Sequence, residues 1–244
     1  MSLPDALPPR GDDPPTRSDG FPSVDPDLGY DGRIQRLIPG YASLARLAVA
    51  LLSVSPLATP AGSSVLVAGC GTGAELLEAR AQRPDWCLTA TDPSPTMLAV
   101  ARERLAGATE VEWCQSTVEA LGAMNCFDGA LAVLVLQSLP DDGSKLDFLT
   151  AMAQGLRPGG QLVLIDLMRP ERSPLQHQIE EAWLTFQEAS GLPVPSEGLI
   201  GLSDGLHPIG RARMSGLADA AGFGDPAPVF KALDFEGFLL QRRN

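Results

Sequence analysis

Three glycines stand at alternate positions directly after a short apolar run, Val-Leu-Val-Ala. They are Gly69, Gly71 and Gly73, and a helical pattern follows them over residues 74–80. Since glycine has no Cβ, the backbone at such a turn can bend tightly and a ligand can lie close to the main chain. The pattern predicts a strand, a glycine turn and a helix that together form a ligand-binding site.

An acidic residue follows the last of these glycines after nineteen positions. Asp92 closes the next apolar stretch, residues 87–91, which predicts a second strand. A carboxylate at this point can accept hydrogen bonds from both hydroxyl groups of a ribose. The glycine turn and Asp92 therefore predict a cofactor that contains a nucleoside.

The glycine spacing bears on which cofactor is bound. The nicotinamide fingerprint is Gly-x-Gly-x-x-Gly, and its third position falls on Ala74, which that pattern sometimes allows. The Gly-x-Gly-x-Gly form present here resembles motif I of the class I S-adenosylmethionine-dependent methyltransferases, whose ligand carries no pyrophosphate. The glycine turn alone leaves both cofactors open.

Later landmarks, in their order along the chain, favour the methyltransferase resemblance. Thr91 to Leu98 resembles that family's acidic strand end and helix start, where Ser94 suits the N-cap and Pro95 the first turn. Further landmarks are a strand at 111–114, a long apolar strand at 127–136, a Leu-Arg-Pro-Gly-Gly turn at 156–160 and a strand at 161–165. This alternation predicts an α/β, Rossmann-like fold with a doubly wound, mostly parallel seven-stranded sheet.

Regions outside this pattern predict how the chain is organised. Residues 1–29 form a Pro/Asp-rich tail, and 30–244 form the cofactor-binding domain, with an N-terminal helical lid at 30–60 and a helical, acceptor-side insertion at 170–213. In the first region the sequence predicts a short helix, a break at Pro39 and Gly40, and a longer helix to residue 54. In the later region it predicts a helix at 174–190, a loop at 191–210 and a helix at 211–221. Two strands at 228–241, with a turn at 234–237, are predicted to follow. The apolar opening helices could also pair two copies as a homodimer.

Composition narrows the classes of function. The net charge is −12 and the chain has only two lysines, which disfavours nucleic acid as a partner and leaves tRNA as an open alternative. No apolar run reaches the roughly 18 residues of a membrane span, and the start shows no signal pattern, so the expected location is cytoplasmic. Four cysteines without a Cys-x-x-Cys pair and two histidines argue against a metal site, and Cys87 and Cys114 are expected to be small core residues.

A closer resemblance begins in the first helix. Residues 34–41 read Ile-Gln-Arg-Leu-Ile-Pro-Gly-Tyr, which is similar to a segment of the carboxy-S-adenosylmethionine synthases, enzymes of wobble-uridine modification in tRNA. Three positions depart from that family. In that family an arginine holds the extra carboxylate of the cofactor. No arginine occurs here between Arg172 and Arg211, and Glu197 in this stretch would repel the extra carboxylate. The family's asparagine falls at Val133, and the acidic residue that meets adenine falls at Thr117.

The resemblance to methyltransferases implies a set of cofactor contacts. Gly69, Cys70, Gly71 and Gly73 meet the methionine and ribose, Asp92 takes the ribose hydroxyls, Pro93 and Met97 flank the adenine, Thr117 and Val118 meet its edge, Leu136 and Gln137 lie below the sulfonium, and Tyr41 closes over the cofactor. Cys70 is expected to pack in the pocket rather than to act as a catalytic thiol. For Tyr41 and Asp92 the alternatives are a core tyrosine and a helix-capping aspartate.

The acceptor side is less defined by the sequence. The acceptor-pocket candidates are Trp183, Phe186, His207 and Arg211, although Trp183 and Phe186 have the spacing of plain core residues. The catalytic residue is unknown, with His207, Asp166 and Tyr41 as candidates. Methyl transfer needs mostly positioning, and it needs a base only if the nucleophile starts protonated.

Four functions are compatible with these patterns. The first is an S-adenosylmethionine-dependent methyltransferase with a small or medium organic acceptor. The second is an enzyme of the carboxylated-cofactor branch or a tRNA-linked relative. The third is a cofactor-binding module without turnover, and the fourth is a nicotinamide oxidoreductase.

Overall fold

Seven strands form a single mixed sheet in the order β3-β2-β1-β4-β5-β7-β6. The computed structural model describes residues 29–106, 111–170, 172–192 and 205–244. The strands are β1 (Ser64–Ala68), β2 (Cys87–Thr91), β3 (Val111–Cys114), β4 (Phe127–Val133), β5 (Leu156–Leu167), β6 (Ala227–Ala232) and β7 (Phe235–Gln241). The first five run parallel, and β7 is antiparallel to both β5 and β6. The predicted seven-stranded, mostly parallel sheet is confirmed.

Helices cover both faces of the sheet. They are α1 (Tyr30–Leu37), α2 (Tyr41–Ser53), α3 (Ala74–Gln82), α4 (Pro95–Arg104), α5 (Val118–Leu121), α6 (Ser144–Gly155), α7 (Gln176–Ala189) and α8 (Arg211–Ala221). Alternate residues of β1 explain the layering, because Val65 and Val67 pack with α2, α3 and α4 whereas Leu66 and Ala68 pack with α5, α6 and α8. Within the described residues, no helix is long and apolar enough to cross a membrane.

A third apolar cluster lies at the carboxyl edge of the parallel strands. It joins α1 and α7 to Leu167 at the end of β5 and to Phe235 at the start of β7. The strand order reverses between β1 and β4, and in open α/β sheets ligands bind in the crevice beyond the carboxyl ends at that point. The α1–α7 cluster therefore lies on the edge where a ligand is expected.

The ends of α2, α3 and α7 lie within two residues of their predicted positions, and the predictions for three strand regions differ from the structure. Strand β4 ends at Val133, because Leu134 has a φ of 59° and turns the backbone out of the sheet. Strand β5 already begins at Leu156, since its first residue pairs with the first residue of β4. The hairpin between β6 and β7 turns at Leu233 and Asp234, because the strands pair directly on either side of these two residues.

The cysteines depart from the expected core positions. Strands β2 and β3 are neighbours as predicted, yet Cys87 is exposed and Cys114 is half-buried. Cys87 opens its strand at the amino edge of the sheet, and Cys114 ends the edge strand β3, so neither reaches the core. The prediction for these two residues is wrong, whereas Cys70 in the glycine turn is buried.

Candidate cofactor site

The glycine turn and Asp92 are directly connected in the structure. The Asp92 carboxylate accepts a hydrogen bond from the backbone N–H of Gly71 at 2.9 Å and another from that of Ser94 at 2.8 Å. Ser94 in turn caps α4 through its hydroxyl, which accepts from the N–H of Met97 at 3.3 Å, with Pro95 in the first turn as predicted. The carboxylate thus fastens the turn after β1 to the start of α4.

Two of the glycines are required for opposite reasons. Gly69 has a φ of 61°, and a Cβ placed there would lie 2.6 Å from a Val135 methyl carbon, so internal packing excludes any larger residue. Gly71 has a φ of 50°, yet a Cβ there would meet nothing within 4 Å. A ligand can therefore approach the main chain at Gly71, and this open backbone fits the nucleoside cofactor predicted from the sequence.

Helix α1 is fastened onto the glycine turn by Asp31. Its carboxylate accepts from the Thr72 hydroxyl at 2.7 Å and from the Arg104 guanidinium at 2.5 Å. Arg104 also donates to the Thr72 carbonyl at 2.9 Å. Neither Asp31 nor Arg104 was singled out by the sequence, because the two residues are 73 positions apart and carry no motif.

Tyr41 lies at the start of α2 and packs between the α2–α4 layer and the α1–α7 cluster. Burial, together with the carboxylates of Glu75 and Asp31, raises the pKa of its phenol well above the ordinary value. The hydroxyl is therefore neutral at physiological pH. This protonation state suits a hydrogen-bond donor over a ligand and argues against the role of a general base.

The residues expected around the adenine all follow β2 or β3 at the same edge. Pro93 and Met97 are half-buried at the start of α4. The Thr117 hydroxyl caps α5 by accepting from the N–H of Ala120 at 3.3 Å, which leaves its own O–H free to donate. Val118 is buried against the α5–α6 side of the core.

The loop after β4 is held by two buried charged side chains. The Asp166 carboxylate accepts from the N–H of Leu136 at 3.2 Å and from that of Gln137 at 2.9 Å. From the other side, the Lys145 ammonium donates to the Leu136 carbonyl. The Gln137 side-chain oxygen accepts from the Leu167 N–H at 2.9 Å, so the residues expected below the sulfonium are fixed through main chain and side chain alike.

These hydrogen bonds indicate that Asp166 has a structural role in the loop after β4. It is 1% exposed, and burial raises its pKa to about 7, partly offset by the two N–H donors and by Lys145. Burial also lowers the pKa of Lys145. Because both carboxylate oxygens already bind the loop, Asp166 is better suited to position Leu136 and Gln137 than to take a proton from a substrate.

The aromatic candidates on the acceptor side lie in the α1–α7 cluster. The Trp183 indole donates to the Leu37 carbonyl at 2.7 Å and meets the Phe235 ring edge-on, with centroids 5.4 Å apart. Phe186 packs against the same cluster. Trp183 therefore joins α7 to α1 as a core residue with a satisfied N–H.

The two polar candidates on the acceptor side, Arg211 and His207, lie in different surroundings. Arg211 pairs with Glu236 at 2.5 Å, and Glu236 also pairs with Lys231 at 3.0 Å. His207 is exposed, and its backbone N–H donates to the Gln137 carbonyl at 2.6 Å, so its segment runs beside the loop after β4. Glu197 lies outside the described residues.

Sequence comparisons agree with this geometry. A family model described as a methyltransferase domain matches residues 65–160. The carboxy-S-adenosyl-L-methionine synthase of Shewanella oneidensis is 31% identical over 171 residues, which cover 66% of this chain and 67% of that protein. The synthase of the same name from Shewanella baltica is 30% identical over the same length.

Structural comparisons give the same fold. Human N-acetylserotonin methyltransferase, solved with S-adenosylmethionine, matches with a TM-score of 0.60 and 15% identity over 84% of this chain and 53% of that one. The 1,6-didemethyltoxoflavin-N1-methyltransferase of Burkholderia thailandensis, solved with S-adenosylhomocysteine, matches with a TM-score of 0.56 and 19% identity over 83% of this chain and 80% of that one. This chain thus spans about half the length of the human enzyme.

The chain belongs to the class I S-adenosylmethionine-dependent methyltransferases. S-adenosylmethionine is the cofactor of this class of enzyme, and the fold is the one that the sequence predicted. The glycine turn, whose conformation leaves the Gly71 backbone open, is suited to hold such a cofactor.

Proposed function

We propose that the chain transfers the methyl group of S-adenosylmethionine to a small or medium organic acceptor. The observation that carries this proposal is the Gly69–Gly73 turn, tied by Asp92 to α4 and open at Gly71, at the point where the strand order reverses. Ligands of doubly wound sheets bind at this point. Membership of the methyltransferase class supports the reaction type.

The cofactor contacts follow from this assignment. The methionine and ribose would contact Gly69, Cys70, Gly71 and Gly73, and the ribose hydroxyls would donate to Asp92. The adenine would lie against Pro93, Met97, Thr117 and Val118. The sulfonium end would lie near Tyr41, Leu136 and Gln137. The Asp92 carboxylate keeps acceptor capacity beyond its two backbone bonds, because an ionised carboxylate offers about four lone-pair sites.

The bound cofactor supplies a methyl group that is already activated by the positive charge on sulfur. A lone pair of the acceptor forms the new bond to the methyl carbon, while the electron pair of the broken carbon–sulfur bond stays on sulfur and gives neutral S-adenosylhomocysteine. The protein's part is to align donor and acceptor and to exclude water. Exposed His207 is the proposed base when the acceptor starts protonated, because both carboxylate oxygens of Asp166 already bind the loop after β4 and the raised pKa of Tyr41 keeps its phenol protonated.

Product analysis tests the proposed reaction. The purified chain is incubated with S-adenosylmethionine and a panel of phenols, amines, carboxylic acids and thiols, and S-adenosylhomocysteine and methylated products are measured by mass spectrometry. We expect S-adenosylhomocysteine to form in equal amount with one methylated product. Binding of NAD without binding of S-adenosylmethionine would contradict the proposal, and tight cofactor binding without any turnover would favour a binding module.

A second candidate is formation of carboxy-S-adenosylmethionine. The observation that favours it is the similarity to the carboxy-S-adenosyl-L-methionine synthases, which are 30–31% identical to this chain. Against it stands the sequence, where no arginine occurs between Arg172 and Arg211 to bind an extra carboxylate. Within the described residues Arg211 is already paired with Glu236. The mass of the nucleoside that copurifies with the chain distinguishes the two, since the carboxylated form is heavier.

The partner and location predictions extend this proposal. We propose a small-molecule acceptor, since the net charge of −12 disfavours a nucleic acid held by its phosphates. The lid at 30–60, the insertion at 170–213, the homodimer and the cytoplasmic location stay predictions. Light scattering of the purified chain and cell fractionation would test the last two.

A further inference from the structure

Glu75 is a buried carboxyl group beside the glycine turn. It belongs to the first turn of α3, two positions after Gly73, and is 8% exposed. Its own backbone N–H donates to it, and across the described part of the chain no other residue hydrogen-bonds to its carboxylate. Burial of a carboxylate with so few hydrogen-bond donors destabilises the fold unless a ligand supplies the missing donors.

Among the described residues, the cation whose charge acts on Glu75 is Arg104, and it is already paired. Asp31 and Arg104 both act on it, but they form an ion pair with each other at 2.5 Å. Tyr41 and Cys70 also lie within electrostatic range, and the Glu75 charge raises the pKa of both. Burial in this setting raises the pKa of Glu75 to about 7.

Resting on the proposed function, we propose that the Glu75 carboxylate binds the ammonium group at the amino-acid end of the cofactor. Helical side chains lean toward the amino end of their helix, which for Glu75 is the glycine turn. The turn and Tyr41 are the elements assigned to the methionine end and to cofactor closure. A primary ammonium supplies the positive charge and the N–H donors that the buried carboxylate lacks. Glu75 would therefore make the site selective for nucleosides that carry an amino-acid chain.

Two nucleosides that differ at the amino-acid end distinguish the Glu75 contact from the other cofactor contacts. S-adenosylhomocysteine carries the amino-acid chain, whereas 5′-methylthioadenosine ends in a methyl group on the same sulfur. Their dissociation constants are measured by calorimetry at pH 8 for the wild type, for Glu75→Gln and for Glu78→Gln, a matched change one turn along the same helix. We expect Glu75→Gln to weaken S-adenosylhomocysteine by about tenfold or more and 5′-methylthioadenosine by less than about twofold. Glu78→Gln should change neither, because Glu78 pairs with Arg46 and Gln82 instead.

A second measurement uses only the wild type, so its result does not depend on whether the Glu75→Gln variant folds. Calorimetry at pH 7 in buffers of different ionisation enthalpy counts protons released on binding. Since Glu75 must ionise to receive the ammonium, S-adenosylhomocysteine should release about half a proton and 5′-methylthioadenosine none.

Equal losses for both nucleosides in Glu75→Gln, unchanged affinity for both, or equal proton release would overturn the inference. If the wild type binds neither nucleoside, the proposed cofactor site itself has failed, which is a different result.

Discussion

The two sides of the sheet build their parts of the site in different ways. On the β1–β3 side, the glycine turn and the Asp92 carboxylate that binds it lie within 24 residues of sequence. On the β4–β5 side, the loop at Leu136 is held by Lys145 and Asp166, buried side chains from two other elements. The glycine turn itself is shaped by backbone conformation and short-range hydrogen bonds, whereas the loop at Leu136 depends on buried charged side chains.

The largest expected effect is on the β4–β5 side. Replacing Lys145 with Met leaves the Leu136 carbonyl without its donor and Asp166 without the nearby positive charge. Removing one member of a buried charged network costs about 3–5 kcal/mol, so the free energy of unfolding should fall by that amount in urea titrations.

The matched control is Lys231→Met, the only other lysine of the chain. Its ammonium is largely exposed, and Glu236 keeps Arg211 as a partner, so the loss should stay below about 1 kcal/mol. The double variant Lys145→Met, Asp166→Asn should recover part of the loss. Equal effects of the two lysine variants would remove the distinction between the two sides.

The next effect in size is on the β1–β3 side and concerns affinity. In Asp92→Ala the glycine turn loses its tie to α4, and the ribose loses its proposed acceptor. Two charge-assisted hydrogen bonds together predict S-adenosylhomocysteine binding weaker by about 100-fold in calorimetry.

Asp85→Ala is the control for Asp92→Ala, since Asp85 pairs with Arg83 at the surface away from the turn. It should leave the affinity unchanged. If Asp92→Ala binds as well as the wild type, Asp92 is only a capping residue of α4.

The contrast between the two sides also explains what the sequence could predict. The strands β2 and β3, the cap at Ser94 and the end of α8 at Gly222 were correct to the residue, because each depends on local patterns of burial, capping or glycine. The end of β4 was wrong, since it depends on a left-handed Leu134 and on N–H groups claimed by Asp166, 30 residues away.

The residues that were missed share this long-range character. Lys145, Arg104, Asp31 and Glu75 have no motif, and each gains its importance from partners or burial that only the fold provides. A lone lysine in an apolar helix, Lys145 within α6, is the one signal that the sequence offered. A buried charge in a helix of this kind needs partners, but the sequence does not say which.

A smaller effect is expected for the pH dependence of stability. The folded-state pKa of Glu75, about 7, lies above its ordinary value of 4.5, so the folded protein holds an extra proton between these two pH values. Stability therefore falls as pH rises through this window, and the cost is complete above pH 7.

Glu75→Gln removes this cost. The free energy of unfolding at pH 8 should rise by about 1–3 kcal/mol over the wild type, with little difference near pH 4. Parallel urea titrations at the two pH values check this. A variant that is equally destabilised at both would mean that Glu75 contributes packing rather than an unpaired charge.

The smallest effect tests whether Trp183 belongs to the core or to the acceptor pocket. Its indole donates to the Leu37 carbonyl and its ring meets Phe235 edge-on, so Trp183→Phe should lower the free energy of unfolding by about 1–2 kcal/mol. As a core residue it should leave the affinity for S-adenosylhomocysteine and the KM of the acceptor within about twofold. A rise in that KM without loss of stability would move Trp183 into the acceptor pocket. The acceptor side would then also use residues whose sequence spacing is that of plain core.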